Sequence, residues 1–345
     1  MKAALLTGIR EMEIREIPDP AITRPDEVLL RIRAVGVCGS DVHYYTTGRI
    51  GSQVVEFPFI VGHEPSGVVE AVGAAVTRLK PGDRVAIDPP VSCHSCDQCL
   101  AGRPHTCRTL KYLGCPGQLE GAFSEFLVMP EECCFPIPDD MDMATAALIE
   151  PLSIGVYAVQ QSIPMTGARI GILGLGPIGL SVMLPALAEG AAAIYATDRI
   201  DARCELAGKH GATWTGNPDT VDVVEEVTER EPLLLDVVFE CCGQQEALDQ
   251  AAQLLKPGGK LMMIGIPEFD NWSISAEIAR RRELCLQNVR RQNHCVQKTI
   301  DLVADGKIDP AFMITHTFKL DDTKTAMDLV DSYGDGVLKA MIEME

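Results

Sequence analysis

The sequence predicts an α/β protein with a β-rich first part and a doubly wound parallel sheet, and three observations carry that expectation. From Met1 to about Glu150, short apolar runs are separated by turn residues, the signature of strands in a β-rich domain. From about Ala168 the rhythm changes to apolar runs of strand length alternating with stretches of helix length. Such alternation, with near-continuous apolar strands, means a parallel sheet covered on both faces. Third, Gly171-Ile-Leu-Gly174-Leu-Gly176-Pro-Ile-Gly179 places G-x-G-x-x-G directly after such a strand and at the start of a helix.

In chain order, Val28–Val37 reads as a strand, followed by Gly67–Val72 and by Arg84–Ile87, the last entered through the turn Lys80-Pro81-Gly82-Asp83. Pro89-Pro90 and then Gly102 and Pro104 bound a loop of about 89–108. The later strands are Ile170–Leu173, Ala193–Thr197, Asp236–Glu240, Lys260–Ile264 and Leu284–Val289. Helices are expected at Asp201–His210 and Gln245–Leu255, the second stopped by Pro257-Gly258-Gly259. A helix over Cys295–Ala304 and a strand over Gly336–Glu343 close the chain. The expected layout is 1–154, 155–291, and a C-terminal return over 292–345 to the first domain.

Composition excludes several classes. At 345 residues, two domains are the natural prior, and 46% apolar with 23% charged residues suits a globular protein with a full core. A net charge of −19 argues against a nucleic-acid partner, which would want a basic face. Ile170–Ala188 carries no charge, but its glycines and Pro177 and Pro185 would leave broken backbone in lipid, so no membrane span is expected. Ala3–Leu6 is too short for the apolar region of a secretory signal, and a reducing cytoplasm follows as the expectation.

In that setting Cys93, Cys96, Cys99 and Cys107, at C-x2-C-x2-C-x7-C, are expected to form an S4 cage around a structural zinc ion. A closed S4 site performs no chemistry. His94 and His105 lie in the same loop and are superfluous once four thiolates close it. Eight further cysteines, Cys133-Cys134 and Cys241-Cys242 among them, read as small buried hydrophobes.

The glycine motif points to a dinucleotide. Gly174 permits the tight turn, Gly176 lets the backbone approach a pyrophosphate, and Gly179 allows close helix packing. The helix N-terminus that opens at Pro177-Ile178 offers free N–H groups, from Ile178 onward, to the phosphates. The second strand ends at Asp198, where a carboxylate accepts from both ribose hydroxyls and repels a 2′-phosphate, so NAD is favoured over NADP. The alternative for Asp198 is a cap on the next helix. Arg199 would soften the exclusion of NADP, and Arg203 is a candidate to pack on the adenosine or else a solvated helix residue.

Gly62-His63-Glu64 and Val37-Cys38-Gly39-Ser40-Asp41-Val42-His43 bring a second set of metal-ligand residue types. Taken with the nucleotide motif and the cysteine lobe, they match a known combination. The chain resembles the zinc-dependent medium-chain alcohol dehydrogenases over essentially its whole length. The most specific elements are Gly62-His63-Glu64-x2-Gly67-x5-Gly73-x2-Val76, the four-cysteine lobe and Gly174-x-Gly176-x2-Gly179. Within that family it is most similar to the sorbitol (polyol) dehydrogenases, through Val37–Tyr44, Gly48-Arg-Ile-Gly51 and Leu148-Ile-Glu-Pro-Leu-Ser153.

The resemblance implies a GroES-like catalytic domain before and after a Rossmann domain, two zinc ions per subunit, and a homodimer or homotetramer. It implies Cys38, His63 and Glu64 around the catalytic zinc, with Glu150 near it as a direct ligand or through the bound water. Zinc held by one thiolate, one imidazole and one carboxylate remains a Lewis acid that lowers the pKa of a bound alcohol toward about 7. The carbon then gives hydride to NAD+. Asp41 is the candidate to receive the second N–H of His63, with a helix cap as the alternative. Ser40 and His43 match a family proton relay, with Glu150 as a second route for the proton.

Tyr44 matches a position lining the polyol pocket, and Arg290 matches an arginine that holds polyol oxygens. The next position, usually aromatic in sorbitol dehydrogenases, is Arg291, a departure that puts sorbitol itself in doubt. A second guanidinium suits a substrate bearing phosphate or carboxylate; a position in solvent or at a subunit interface is the plain alternative. The leading expectation is therefore oxidation of a secondary alcohol of a polyol or sugar by NAD+, giving a ketose or keto sugar. A threonine- or simple secondary-alcohol substrate is the alternative within the class. From another class comes a non-catalytic nucleotide-binding protein, which has no physical need for an open metal site.

Overall fold

The strand Glu27–Gly36 alternates buried and half-buried side chains over ten residues, so one face is committed to a core and its neighbours are fixed in register. In the computed structural model, which describes residues 1–345, this strand is central to a seven-stranded sheet. Glu64–Val72 pairs antiparallel on one side of it, Lys339–Glu343 antiparallel on the other, and Phe126–Pro130 also pairs with it. Arg84–Ile87 and Cys134–Pro136 extend the sheet outward from Glu64–Val72, and Ile314–Lys319 runs parallel to Lys339–Glu343. Leu30, Ile32, Val35, Val69, Val85 and Ile342 fill the core beneath, each no more than 2% exposed. Each such side chain contributes roughly 1.5–3 kcal/mol by leaving water.

The chain divides into two compact units. The first comprises Met1–Glu150, Val296–Gly306 and Pro310–Glu345; the second comprises Pro151–Cys295 and Lys307–Asp309.

The second unit is a six-stranded parallel sheet in the order Trp214–Gly216, Ala193–Thr197, Arg169–Leu173, Leu235–Glu240, Leu255–Met263, Cys285–Asn288. Numbered along the chain, that order is 3-2-1-4-5-6, the doubly wound arrangement whose order reverses between its first and fourth strands. Ile170, Ile172, Val237, Val238, Phe239, Leu261 and Met262 are wholly buried, as strands covered on both faces require.

Several boundaries differ from expectation for identifiable reasons. The strand expected at Lys260–Ile264 begins at Leu255, because Pro257-Gly258-Gly259 is looped out between the pairs Leu235–Leu255 and Val237–Lys260. The last strand starts at Lys339 and not at Gly336, since Tyr333, Asp335 and Gly336 adopt left-handed backbone in a preceding turn. A hairpin of Lys2–Gly8 and Glu11–Glu16 had no signal in the sequence, its second strand being exposed along most of its length. The scattered cysteines are not uniformly buried: Cys242 and Cys285 are exposed and Cys241 is half-buried. No helix is long and apolar enough to cross a membrane.

Candidate metal and nucleotide sites

Cysteine sulfurs in the lobe approach one another at van der Waals distances. The Sγ separations are 3.4 Å for Cys93–Cys107, 3.6 Å for Cys96–Cys99, 3.9 Å for Cys96–Cys107 and 4.0 Å for Cys93–Cys99. A tetrahedral zinc with bonds of about 2.3 Å to sulfur has edges of about 3.8 Å, so the four thiols fit that ion. A disulfide, at about 2.05 Å, does not describe these distances. Backbone N–H groups prepare the thiolates: Ser95 draws Cys93 down to about 5, and Arg108 lowers Cys96. A one-turn helix, Asp97–Leu100, carries Cys99, and Arg108 binds Asp97 at its start with Nη2 2.9 Å from Oδ2.

The second group assembles in the first unit from two segments. The Glu27–Gly36 strand delivers Cys38, which precedes the helix Gly39–Thr47, while His63 and Glu64 stand at the start of the Glu64–Val72 strand. Ligand atoms of Cys38, His63 and Glu64 all lie within 4.8 Å of one another. Cys38 is partly exposed, whereas His63 and Glu64 are buried, so the group opens on one side, as a site that must admit substrate requires. Glu150 is not part of this group; its Oε1 accepts from the Tyr112 hydroxyl at 2.9 Å. Burial pushes the Glu150 carboxyl up to about 7, against the opposing pull of His63.

Asp41 ties these segments together. Its Oδ1 lies 3.2 Å from His63 Nδ1 and accepts from the Gly62 N–H at 3.0 Å, while Oδ2 accepts from the Cys38 N–H at 3.0 Å. Both roles considered for Asp41 coexist: partner of the imidazole and cap of the helix that follows Cys38. With the proton on Nδ1, the Nε2 lone pair is available to a metal. Ser40 donates to Cys38 Sγ at 3.4 Å, and His43, one turn further along the same helix face, is half-buried. Tyr44 is 2% exposed, and its hydroxyl donates to Gln53 Oε1 at 3.1 Å and lies 3.7 Å from Cys115 Sγ.

Three residues at this site escaped the sequence reading. Tyr112 stands beside His63, ring centroids 5.6 Å apart, besides binding Glu150. Lys339 is 1% exposed and places its ammonium on both Glu64 oxygens. Burial would lower its pKa, but the charge of Glu64, then that of Cys38, raises it. Gly36 pairs with Glu64 across the sheet, and a Cβ there would stand 2.1 Å from Glu64 Oε2. A lysine inside the apolar run Val337–Ile342 was the one available signal for Lys339.

In the second unit the glycine motif turns between the Arg169–Leu173 strand and the helix Pro177–Ala188. Gly174 has φ 98°, and a Cβ on Gly179 would lie 1.9 Å from the Gly174 carbonyl oxygen, so only glycine serves at either position. A Cβ on Gly176 would meet nothing nearer than Arg203 Nη1 at 3.5 Å; the open backbone there and the helix start at Pro177 and Ile178 form a cradle for a pyrophosphate. Asp198 directly follows the adjacent strand Ala193–Thr197; its oxygens accept from Leu175 N–H at 2.8 Å and Ile200 N–H at 2.9 Å. Arg203 is not solvated: its side chain is 11% exposed and 3.7 Å from Asp198. Arg199 pairs instead with Asp219 at 2.8 Å. Arg290 is exposed and Arg291 half-buried with φ 54°; both belong to this unit, after its last strand.

The alcohol dehydrogenase GroES-like domain matches residues 24–139, and the zinc-binding dehydrogenase domain matches residues 177–305. The chain is 38% identical to the sorbitol dehydrogenase of Bacillus subtilis (strain 168) over 343 residues, 99% of this chain and 97% of that one. It is 33% identical to the L-idonate 5-dehydrogenase of Vitis vinifera, covering 99% and 94%. A Sinorhizobium meliloti 1021 protein, classed as a zinc-binding dehydrogenase and solved bound to NADP, superposes with a TM-score of 0.91 at 32% identity, covering 99% of both chains.

Proposed function

The chain belongs to the zinc-binding dehydrogenases with an alcohol dehydrogenase GroES-like domain, and on that premise we propose that it is a zinc- and NAD-dependent polyol dehydrogenase. The reaction oxidises a secondary alcohol of a polyol or sugar to the ketone and transfers the hydride to NAD+. The cluster of Cys38, His63 and Glu64, open at Cys38, carries this reading, because a retired fold has no use for an open set of three ligands. A zinc ion held there supplies Lewis acidity to the substrate oxygen. The four lobe cysteines would hold a second, structural ion.

The chain's own residues account for the proton. Asp41 fixes the His63 tautomer and orientation. Ser40, beside Cys38 Sγ, takes the hydroxyl proton, and His43 on the same helix face passes it outward. Glu150, which accepts from Tyr112 beside His63, offers a second route for the proton. Tyr44, buried with its hydroxyl held by Gln53, is assigned to the polyol pocket by the resemblance alone. The Arg290-Arg291 pair suits a substrate bearing phosphate or carboxylate, and the relative named for idonate makes a carboxylate-bearing substrate a fitting member of the test panel.

For the cofactor, Asp198 favours NAD. Its carboxylate keeps lone pairs for the ribose hydroxyls beyond those used by Leu175 and Ile200, and a 2′-phosphate would be repelled. Arg203 beside Asp198 is the opposing influence, and the relative solved with NADP makes the ratio of the two cofactors a necessary measurement. The edge strand Cys285–Asn288, with Leu286 exposed, supports a homodimer or homotetramer. Thirteen cysteines, five of them required as thiolates by the two metal sites, suit a reducing cytoplasm. NADH absorbance on incubating zinc-replete protein with NAD+ and a panel of neutral, acidic and phosphorylated polyols tests the proposal.

A further inference from the structure

Lys339 is a lysine with nowhere to go but Glu64. Its side chain is 1% exposed, and the ammonium meets Glu64 Oε2 at 2.6 Å, Glu64 Oε1 at 2.9 Å and the Val37 carbonyl at 3.1 Å, so all three protons are used. Gly36, across the sheet from Glu64, leaves the carboxylate room that any side chain would take: a Cβ there would stand 2.1 Å from Oε2. The last strand of the chain and the central strand thus form a fitted clamp on one of the three candidate metal ligands. A buried lysine is costly unless its site demands the charge.

Charge bookkeeping shows what the clamp does. The Cys38 thiolate and the Glu64 carboxylate together would offset the charge of a divalent ion and so moderate its Lewis acidity. An ammonium bidentate on Glu64 returns one positive charge and draws carboxylate electron density away from the ion. We propose that Lys339 is a positioning residue that competes with the metal for Glu64, holding this ligand loosely so that the ion stays electron-poor toward the substrate oxygen. The inference rests on reading Cys38, His63 and Glu64 as the metal site.

The direction of the effect separates this role from a structural one. Lys339→Met removes a cation from beside a dication and frees Glu64 to bind it, so the zinc of this site should leave to a chelator about tenfold more slowly than in wild type. The cobalt-substituted protein should show a shifted ligand-field spectrum. Lys339→Gln keeps a donor for Glu64 without the charge, folds more readily, and moves zinc release in the same direction. Lys339→Arg changes the shape of the donor but keeps the charge, so zinc release should not slow in it as it does in the neutral variants. Cys38→Ser identifies which of the two zinc ions is being followed. A merely structural lysine predicts the opposite: a lower Tm with zinc released at the wild-type rate or faster in both neutral variants, which overturns the proposal. Wild-type protein that holds only the four-cysteine zinc overturns the metal reading itself, and the two failures are told apart by the zinc count.

Discussion

Asp41 Oδ1 lies 3.2 Å from His63 Nδ1, and the same carboxylate accepts the backbone N–H groups of Gly62 and Cys38. One wholly buried side chain therefore aims the imidazole and fixes the backbone beside Cys38 and His63. Asp41→Asn keeps the size but turns an amide NH2 toward one of these donors. Zinc affinity of this site should fall about 10–100-fold, the usual cost of losing such a partner. An unsatisfied buried N–H should also cost about 1–3 kcal/mol in urea unfolding. Wild-type zinc retention in Asp41→Asn would contradict the assignment.

The two cysteine sites should fail differently. Cys38→Ser should abolish turnover while leaving nucleotide binding and Tm near wild type. Cys96→Ser should lose the lobe ion and lower Tm, because a structural zinc contributes folding free energy directly. Zinc per subunit, Tm and nucleotide titration of both variants measure this. Equal loss of activity with unchanged stability in both would refute the division of roles.

How far these features were readable beforehand depends on their distance along the chain. The glycine turn, the cysteine lobe and the strands Arg84–Ile87 and Ala193–Thr197 are encoded in consecutive residues and were found where expected. Cys38, His63 and Glu64 were named through resemblance, and only the structure shows their ligand atoms within 4.8 Å. Lys339 meets Glu64 from 275 residues away and Tyr112 meets Glu150 from 38 away, separations at which no local pattern speaks. The looped-out Pro257-Gly258-Gly259 read as a stop because a stop and a bulge use the same residues. Gly36 gave no sign, since its purpose is the space it leaves on the neighbouring strand.

Cofactor choice turns on Asp198. Asp198→Ala removes a charged acceptor worth about 1.5–3 kcal/mol to a hydrogen-bonded ribose, so the ratio of kcat/KM for NAD+ over NADP+ should fall tenfold or more. Gly179→Ala should weaken both cofactors alike, because its Cβ would sit 1.9 Å from the Gly174 carbonyl. A wild-type preference for NADP+, or an unchanged ratio in Asp198→Ala, would contradict the NAD assignment.

Acid stability should show the mark of Asp236. Burial alone would raise its carboxyl, but the Arg169 N–H at 2.7 Å and the Lys256 ammonium bring it below the ordinary 3.8. A depressed folded-state pKa means the unfolded chain takes up the proton first. The stabilisation is therefore complete above the unfolded value and is lost as pH falls through the lower folded value. Urea unfolding of wild type should weaken from about pH 4 downward, and Asp236→Asn should flatten this part of the curve while lowering stability at neutral pH. Parallel curves for the two proteins would contradict it.

The most direct test of the central claim is NAD+ reduction by a polyol panel before zinc removal, after it, and after zinc is returned. The account predicts NADH formation with at least one polyol, loss of it when the ion at Cys38, His63 and Glu64 is removed, and recovery on adding zinc. Absence of NADH with every polyol in zinc-replete protein, or full activity after that ion has gone, would contradict it.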